Sequence, residues 1–548
     1  MTAAPPDQPI RTPVLIAGGG PVGLATAMEL ARHGIECVVV EPRTAVSAIR
    51  PRAKTTSART MELFRRWPFP DRRSFADEIR RRAPLPVGWS SDIAFCTTAT
   101  GREVTRFTGV LGLDLVASEL AAEPGQQVGQ PVVEQALRDA LAACPRVRVL
   151  YGWRVVSVRP AADSVSGALA DGSGQALDFE AGYVVGADGA RSTVRAAMGV
   201  RYEGGNAGRP NLSVVFRCPA LAGHLAGGPA VHYWVLNPAA PGVVGPLDLA
   251  GAWWAIATGR PGDDRDADPV ALVRGLVGRD IPVEVLGTDP WQARALLASS
   301  YRTGRLFLAG DAAHQNPPWG GHGFNTGVGD AVNLGWKLAA VLQGWAPPAL
   351  LDSYETERRP VAQQTIAIAA ANTAALPTDL AAAATEDDEA ATAVLAGRIE
   401  ASKRLEFYCL GLVLGYGYGP GAGTQTTDGT DFTPRPVPGN RLPHHWIRPG
   451  VSLYDRLGPG FSLLGDPALA GPLLSLAAQR RVPLTAPGDL GTGEAFGTGL
   501  VLVRPDQHIA WLGDHVSPAA APAVLTSALT GFAATAGQPA TAGQPLVS

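Results

Sequence analysis

The chain lacks several features that mark common protein classes. Only three of its 46 basic residues are lysines, namely Lys54, Lys337 and Lys403. Because 49 acidic residues bring the formal net charge to −3, there is no general basic field for binding nucleic acid. No uncharged run of about 18 apolar residues occurs, so we expect no membrane span.

Cysteine is also scarce. The five cysteines are spaced too widely for a CxxC motif or a zinc site (Cys37, Cys96, Cys144, Cys218 and Cys409). Scattered cysteines in a long chain are typical of a reducing cytosol, and the N-terminal residues lack a signal-peptide pattern. We therefore expect a cytoplasmic protein that is a monomer or homodimer, holds no metal, and binds neither nucleic acid nor membrane.

Glycine and apolar residues, in contrast, are abundant. With 46% hydrophobic and 17% charged residues, a chain of 548 residues can build a large core in several domains. The clearest pattern is Gly18-x-Gly20-x-x-Gly23, which follows an apolar strand and opens a helix. Such glycines permit a tight turn, close approach of a pyrophosphate and close helix–strand packing. Glu41 ends the next strand, where an acid can bind a ribose, so the segment predicts a dinucleotide site without distinguishing FAD from NAD.

Two later stretches carry the same kind of signal. An apolar strand runs into Asp188-Gly189, and a second runs into Gly310-Asp311 before a glycine-rich loop and a helix predicted from Asn325. Ligands of open parallel sheets bind at the carboxyl ends of strands, and the first amides of a helix are unpaired. The glycine-rich loop after Asp311 and the helix that follows it could therefore stabilise a developing negative charge, such as that of a reduced flavin. This feature argues against a plain NAD-dependent dehydrogenase.

These three motifs, in this order and spacing, resemble those of the class A FAD-dependent aromatic monooxygenases with the p-hydroxybenzoate hydroxylase fold. The resemblance covers roughly residues 10–405. A narrower similarity is to the branch of phenol hydroxylases and natural-product tailoring oxygenases that carries a C-terminal thioredoxin-like domain. It lies in Pro51-Arg52, residues 57–67, Arg358-Arg359-Pro360 and residues 502–506.

The resemblance implies an α/β fold with a Rossmann-like FAD-binding domain, an inserted antiparallel-sheet substrate domain and a C-terminal thioredoxin-like domain. Strand-rich stretches at 92–107 and 211–256 agree with the inserted sheet, and Leu376-Pro377 with the acidic run 386–389 predicts a surface connection. The expected FAD-binding domain is 1–85, 108–208 and 292–404, the substrate domain 86–107 and 209–291, the thioredoxin-like domain 405–530, and a disordered tail 531–548.

The same resemblance implies the chemistry. NADPH or NADH would reduce FAD, and O2 would then give a hydroperoxide at flavin C4a that hydroxylates a small phenolic or polycyclic aromatic substrate of secondary metabolism. A Baeyer–Villiger or oxidative-rearrangement oxygenase on the same fold remains open, because the substrate decides the outcome. A non-catalytic FAD-binding protein is the further alternative.

Site roles follow residue by residue from the resemblance. The expected cofactor-binding residues are Gly18, Gly20, Gly23, Glu41, Arg43, Arg52, Gln130, Asp188, Gly189, Gly310, Asp311, Pro318, Gly321, Gly323, Phe324 and Asn325. Pro318, Arg52 and His322 are the flavin-adjacent candidates for a catalytic role. His322 stands where Gln or Phe is common, and Phe324 where Met is common, so either these side chains tune the flavin or only their backbone matters. We expect His314 to pack and form hydrogen bonds, not to act as a base.

Substrate contacts are expected between the inserted sheet and the glycine-rich loop that connects Asp311 to Asn325 (the flavin loop). The candidates are Phe216, His232, Trp234 and Trp319. Residues 231–235 alternate, so His232 and Trp234 share one face and Tyr233 takes the other. The alternation does not tell which face lines the pocket.

Overall fold

The computed structural model describes residues 9–49, 52–225, 227–259, 268–374, 388–420, 422, 429–488, 490 and 495–532. The surface connection predicted at Leu376-Pro377 and 386–389 lies outside these residues, apart from Asp388 and Glu389. The predicted disordered tail lies outside them from residue 533 onward.

The strands are, in chain order, β1 Ile10–Ala17, β2 Cys37–Glu41, β3 Thr55–Thr56, β4 Ile93–Cys96, β5 Glu103–Phe107, β6 Gln126–Gln127, β7 Val147–Tyr151, β8 Trp153–Pro160, β9 Val165–Asp171, β10 Ala176–Gly186, β11 Tyr202–Arg217 and β12 His232–Val235. They continue as β13 Gly242–Pro246, β14 Ala252–Thr258, β15 Glu284–Ala298, β16 Arg302–Thr303, β17 Leu306–Leu308, β18 His314–Gln315, β19 Trp446–Arg448, β20 Val451–Ser452, β21 Phe461–Gly465, β22 Leu484–Gly488, β23 Leu500–Val503 and β24 Ile509–Gly513.

The helices are α1 Pro21–Arg32, α2 Ala58–Arg65, α3 Phe75–Arg82, α4 Gln130–Ala142, α5 Thr193–Ala197, α6 Pro269–Val277, α7 His322–Leu342, α8 Ser353–Ala374, α9 Glu389–Phe407, α10 Leu410–Leu414, α11 Gly471–Gln479 and α12 Ala521–Thr530. None of the helices in this described part of the chain is long and apolar enough to cross a membrane.

The first sheet confirms the predicted β-α-β unit. β1 pairs in parallel with β2 and β10, β10 pairs in parallel with β17, and the strand order is β16-β17-β10-β1-β2-β7. The inner strands β2 and β17 are buried throughout, and β1 and β10 are apolar and buried toward their carboxyl ends, as parallel strands covered on both faces should be. The carboxyl ends of β1, β10 and β17 therefore meet at one edge, and these are the ends that carry the three sequence motifs.

The second sheet contains both of the strand-rich stretches predicted for the inserted sheet, at 92–107 and 211–256, but it corrects one feature. β4 and β5 pair as an antiparallel hairpin, and the strand order is β18-β15-β11-β14-β13-β12-β4-β5. The sheet is not wholly antiparallel, because β4 lies parallel to β12. The hairpin reaches the sheet from a distant part of the chain, so no tight turn imposes an antiparallel direction between these two strands.

The long strands β11 and β15 pair from Tyr202↔Ala298 to Arg217↔Glu284. They run across the expected domain boundaries at 208/209 and 291/292. A continuous ribbon therefore joins the first sheet's domain to the second sheet, and the division between the two domains has no linker at this point.

The two faces of the second sheet pack against different partners. One face, with Phe216, Tyr233 and Trp253, forms a buried cluster with α6. The other face, with Trp234 and Trp254, packs against α9 and the loop that contains Trp319. The structure thus decides which side of the alternating strand 231–235 faces the flavin loop.

The third sheet confirms the expected thioredoxin-like arrangement. Its strand order is β22-β21-β23-β24, with β21 and β22 parallel and β23 antiparallel to both of its neighbours. Helix α11 connects β21 to β22, and α12 follows β24. No cysteine occurs after Cys409, so a thioredoxin-type disulfide reaction has no residues there to perform it.

Buried ion pairs fasten this third domain to the first. Arg504 donates to both oxygens of Glu357 in α8, at 2.8 and 2.7 Å, and to Asp506 at 2.6 Å. Lys337 in α7 also donates to Glu357 at 2.7 Å, and all of these side chains are nearly inaccessible to solvent. Because buried charges are stable only when paired, this network fixes how the third domain docks.

We predict that Arg504→Met lowers the free energy of unfolding by about 3–5 kcal/mol, because it leaves the buried carboxylate of Asp506 without its cation and leaves Glu357 with Lys337 alone. Urea denaturation followed by tryptophan fluorescence measures this, since the Trp336 indole donates to Asp506 at 3.2 Å. The matched control is Arg217→Met. Arg217 pairs with Glu284 at 3.6 Å on the surface, with side chains 47% and 66% exposed, so we expect a loss below about 1 kcal/mol. Equal effects of the two changes would contradict the docking role.

Glu357 also predicts how stability depends on pH. Burial acts to raise its pKa, but Arg504 and Lys337 outweigh burial and lower the pKa from the ordinary 4.5 to about 2. Stability from this pairing is therefore complete above pH 4.5 and is lost as the pH falls toward 2. Between pH 4.5 and pH 2, the free energy of unfolding of the wild type should fall by about 3 kcal/mol more than that of Glu357→Gln. Parallel stability curves for the two proteins in urea titrations across this range would refute the assignment.

Candidate cofactor and substrate site

A cavity of about 610 Å³ opens at the edge where β1, β10 and β17 end. Most of the residues predicted from the sequence to bind the cofactor line this cavity, as does His322: Gly18, Gly20, Glu41, Arg43, Arg52, Gln130, Asp188, Gly189, Asp311, Pro318, Gly321, His322, Gly323 and Phe324. The structure thus brings together three sequence stretches that are separated by more than a hundred residues each. The other three predicted cofactor residues, Gly23, Gly310 and Asn325, do not line the cavity.

The glycine-rich turn shows why each glycine is required. Gly18 has a φ of +100°, and a Cβ on Gly23 would lie 1.9 Å from the Gly18 carbonyl oxygen. Gly23 therefore acts through helix–strand packing and not by contact with a ligand. A Cβ on Gly20 would meet no protein atom within 4 Å, and it would project into the cavity at the N-terminus of α1. This open space beside unpaired helix amides fits a pyrophosphate.

Glu41 is held in place at the end of β2. Its carboxylate accepts hydrogen bonds from the Gly19 amide at 2.7 Å and from the Arg43 amide and Nε at 2.9 and 2.8 Å. Arg43 also donates to Glu134 at 3.1 Å. The guanidinium of Arg43 thus donates to two carboxylates, and it holds the Glu41 carboxylate in place beside the cavity.

Asp188 organises the turn after β10. One carboxylate oxygen accepts from the amides of Thr193 and Val194, at 2.7 and 3.3 Å, and so caps α5. The other oxygen is buried without a hydrogen-bond partner among the described residues. Burial raises the pKa of Asp188, and this free oxygen belongs to a residue of the cavity wall.

Gly310 and Asp311 end β17 in a similar way. Gly310 has a φ of +60°, and a Cβ there would lie 2.9 Å from Val22 of α1. This close approach lets Asp311 reach the cavity. Burial raises the pKa of Asp311, while the positive charges of His314 and Arg52 act in the opposite direction.

Asp330 also holds this edge together, although it belongs to none of the three sequence motifs. Its carboxylate accepts from the Gly310 amide at 3.1 Å and from Arg358 Nε at 2.9 Å, and it lies 2.8 Å from His314 Nε2. All three charged side chains are buried. Burial opposes the charge on His314, but Asp330 outweighs burial and raises the His314 pKa. The pairing with Asp330 thus gives His314 the packing and hydrogen-bonding position expected for it. The only local signal for Asp330 was an acid inside an otherwise apolar, glycine-rich helix.

The flavin loop differs slightly from its predicted form. Helix α7 begins at His322, three residues earlier than expected, after Gly320 and Gly321 with φ of +95° and +70°. The cap residue Gly321 offers no side-chain oxygen, so amides of the first turn stay available to an anion. The Asn325 side chain instead bonds to Ser57, Thr55 and Gly321, at 2.9, 3.2 and 2.7 Å, and holds the loop in place.

His322 lies at the start of α7 and lines the cavity. Burial lowers its pKa to about 4, so the imidazole is neutral near pH 7. Its Nε2 has no partner within the described ranges. The side chain therefore presents an uncharged polar group next to the loop.

Of the four predicted substrate contacts, His232 and Trp234 lie on the sheet face toward the flavin loop, and Trp319 lies in the loop itself. The ring centroids of Trp234 and Trp319 are 5.0 Å apart, and Trp234 stacks on Phe95 at 5.5 Å. His232 is on the same face of β12 and lies edge-on to Trp254 at 5.1 Å. Phe216 is the exception. It is fully buried on the opposite face, in the cluster under α6, and this position argues against its predicted substrate role.

Comparison with known proteins agrees with this geometry. Residues 11–369 match the FAD binding domain family, and residues 435–536 match the aromatic-ring hydroxylase C-terminal family. The tetracenomycin B2 monooxygenase-dioxygenase of Streptomyces olivaceus is 34% identical over 92% of this chain and 96% of its own length. The chain belongs to the FAD-dependent aromatic-ring hydroxylases.

Solved structures of the same fold extend over nearly the whole hydroxylase. The rebeccamycin biosynthetic enzyme RebC with reduced flavin superimposes with a TM-score of 0.85 at 33% identity, covering 96% of this chain and all of RebC. The flavin-dependent monooxygenase PieE, in complex with FAD and substrate, also has a TM-score of 0.85, at 28% identity and with 96% and 100% coverage. The hydroxylase is a flavoprotein monooxygenase whose cofactor is FAD.

Gly20 offers a test of the cofactor cavity. With a φ of −73° it is a position that alanine adopts without strain. We expect Gly20→Ala to fold normally but to weaken FAD binding by about ten-fold or more, a loss of roughly 1.4 kcal/mol, because the methyl group occupies the space of the pyrophosphate. Flavin fluorescence titration of the apoprotein measures the affinity.

Two further glycine changes serve as comparisons. Gly172→Ala adds a methyl group with no atom within 4 Å, away from the cavity, and should change nothing. Gly23→Ala should lower the stability of the protein itself, because of the contact with Gly18. Unchanged FAD affinity in Gly20→Ala would contradict the proposed place of the pyrophosphate.

Proposed function

We propose that the hydroxylase inserts one oxygen atom of O2 into an electron-rich, polycyclic aromatic substrate of the polyketide type, with NADPH or NADH as the source of electrons. The observation that carries this proposal is the contact between the flavin loop and an aromatic wall. Trp319, within the loop, packs against Trp234 on the second sheet, so a flat ring held by this wall would lie next to the cofactor. The named substrates of tetracenomycin- and aklavinone-type relatives are consistent with such a ring.

FAD, when bound, supplies the activation of O2 and the transfer of oxygen. Under this proposal Gly18, Gly20 and the first amides of α1 hold its pyrophosphate, and Glu41 holds its ribose. Asp311, Arg52 and Gln130 also line the cavity and would contact the cofactor. The amides at the start of α7 stabilise negative charge on the flavin's pyrimidine edge.

Residues of the loop also exclude water. Trp319 is 5% exposed and Trp234 4%, so the wall behind the proposed substrate is dry. A dry wall favours oxygen transfer to the ring over loss of the oxidant to water. Pro318, which lies next to Trp319 on the cavity side, would help to shape this boundary.

The test is oxygen incorporation by the FAD-loaded protein. We expect NADPH or NADH oxidation to rise on addition of a polycyclic phenol, and mass spectrometry under ¹⁸O₂ to show one labelled oxygen in the product. Gly20→Ala should lose the activity in proportion to its lost FAD, whereas Gly172→Ala should retain it.

Two outcomes would change the assignment. A ring-expanded ester or lactone with one labelled oxygen would replace hydroxylation by a Baeyer–Villiger reaction. An FAD-loaded protein that oxidises no nicotinamide with any aromatic would refute catalysis. The cytoplasmic location and the monomeric or homodimeric state stay predictions, which fractionation and light scattering can check.

A further inference from the structure

A smaller cavity, of about 40 Å³, lies between helices α2, α7, α8 and α10. We call it the small cavity, and Leu63, Val361 and Val413 mark its sides on α2, α8 and α10. His322, at the start of α7, lines both the small cavity and the cofactor cavity. A molecule held in the small cavity would therefore lie next to the flavin loop, with His322 between it and bound FAD.

Part of the wall of the small cavity is aliphatic. Leu63, Val361 and Leu412 are buried, Val413 is partly buried, and all four line the cavity. Such side chains offer dispersion contacts to a small molecule but no hydrogen bonds. Cavities with apolar walls stay dry and bind apolar guests such as xenon. This part of the wall therefore favours a small apolar molecule over water.

The polar side chains of the wall are mostly engaged with protein partners. Thr326 and Thr365 each donate a hydroxyl hydrogen to the carbonyl oxygen four residues earlier, at 3.0 and 2.7 Å. Ser57 donates to Thr60 at 3.2 Å, and all three guanidinium nitrogens of Arg358 donate to protein oxygens. The volume is large enough for water, but a buried water also needs about two to four polar partners. These side chains leave few donors for it.

Two nitrogens of the wall residues, Arg59 Nε and His322 Nε2, have no hydrogen-bond partner among the described residues. Both atoms are covered by their neighbours, so neither offers a hydrogen bond to a molecule in the cavity. The His322 ring packs against the flavin loop, where a Cβ on Gly320 would lie 2.4 Å from Nε2. Burial lowers the His322 pKa to about 4, so the ring is neutral near pH 7. Because neither a charge nor a hydrogen bond to the described residues holds the imidazole, it can turn aside at little cost.

We propose that the small cavity holds O2 beside the flavin loop, and that His322 is the side chain past which this O2 reaches the bound FAD. The inference rests on the proposed function, in which O2 is the source of the inserted oxygen atom. O2 is small, uncharged and needs no hydrogen-bond partner, and these properties match the volume and the wall of the cavity. O2 takes up electrons only at the FAD, so no bond forms or breaks in the small cavity.

Xenon is the probe of the site, because it occupies apolar cavities in proteins and does not react. Crystals of the FAD-loaded protein under xenon pressure should show xenon density between Leu63, Val361 and Val413. Val413→Phe should remove this density, because the larger ring fills the small cavity. Ordered water in the cavity that xenon does not displace would overturn the inference.

The second measurement is the rate at which O2 reoxidises the bound FAD. Dithionite reduces the FAD-loaded protein without a nicotinamide, and stopped-flow mixing with O2 then gives a second-order rate constant. We expect Val413→Phe to lower this constant about ten-fold, which corresponds to roughly 1.4 kcal/mol of added barrier. His322→Ala removes the side chain between the cavities and should raise the constant, but not when combined with Val413→Phe. An effect of His322 on the flavin alone would be the same in both backgrounds.

Val156→Phe is the matched control. Val156 lies on β8, is 44% exposed and lines neither cavity, so the rate constant and the xenon density should equal those of the wild type. Flavin absorbance and thermal melting show whether each variant binds FAD and folds. If Val413→Phe does not fold, Val361→Ile adds a single methylene group to the same cavity and should lower the constant by a smaller factor. An unchanged constant in the folded cavity-filling variants would contradict the inference.

The inference and the proposed function can fail separately. If the wild type hydroxylates an aromatic compound but shows no xenon in the small cavity, and Val413→Phe reacts with O2 as fast as the wild type, the O2 inference is overturned and the hydroxylase function stands. If xenon occupies the cavity and reoxidation depends on Val413, but no aromatic compound gains an oxygen atom, the O2 site stands and the proposed function is overturned.

Discussion

One buried carboxylate, Asp330, holds together the edge on which the cofactor site is built. From its position in helix α7, its carboxylate contacts the end of β17, His314 of β18 and Arg358 of α8. A buried charge with three partners has few alternative arrangements, because losing any one leaves an uncompensated group. These contacts help to fix the orientation of α7, and with it the direction of the amides at its first turn.

The same logic of paired burial recurs where the third domain docks. Glu357 and Arg358 are neighbours on α8. Glu357 accepts hydrogen bonds from Arg504 and Lys337, whereas Arg358 donates to Asp330. Adjacent residues of one helix therefore support the cofactor edge and the domain contact. The third domain contains no cysteine after Cys409, and it contacts this helix through the buried ion pairs of Arg504.

The second sheet divides its two faces between stability and function. The face under α6 is closed by apolar contacts, whereas the opposite face meets α9, the flavin loop and the segment that contains Lys54. Unpaired polar atoms concentrate on the second face, on His232, Trp234 and Trp254. Native proteins rarely leave such groups unpaired, so their concentration marks this face as the place for a ligand.

Much of the cofactor site could be predicted, because its constraints are local. Gly18 and Gly310 have positive φ values that glycine tolerates, and Gly23 must lack a Cβ for a contact five residues away. Constraints of this kind leave a readable pattern of residue types and spacings. The presence of a thioredoxin-like third domain was also predictable, through a resemblance between whole motifs.

The sequence by itself determined the dinucleotide turn, the three motif-bearing strand ends and the alternation of residues 231–235. Only the tertiary structure decided which face of that strand meets the flavin loop, why Phe216 lies on the wrong one, and that β4 runs parallel to β12. It also decided that Asp330 pairs with His314 and Arg358, and that Lys54 lies against Trp254, 200 residues away. The physical reason is that glycine geometry acts within a turn, whereas charge pairing and sheet packing depend on segments far apart in the chain, which no local pattern encodes.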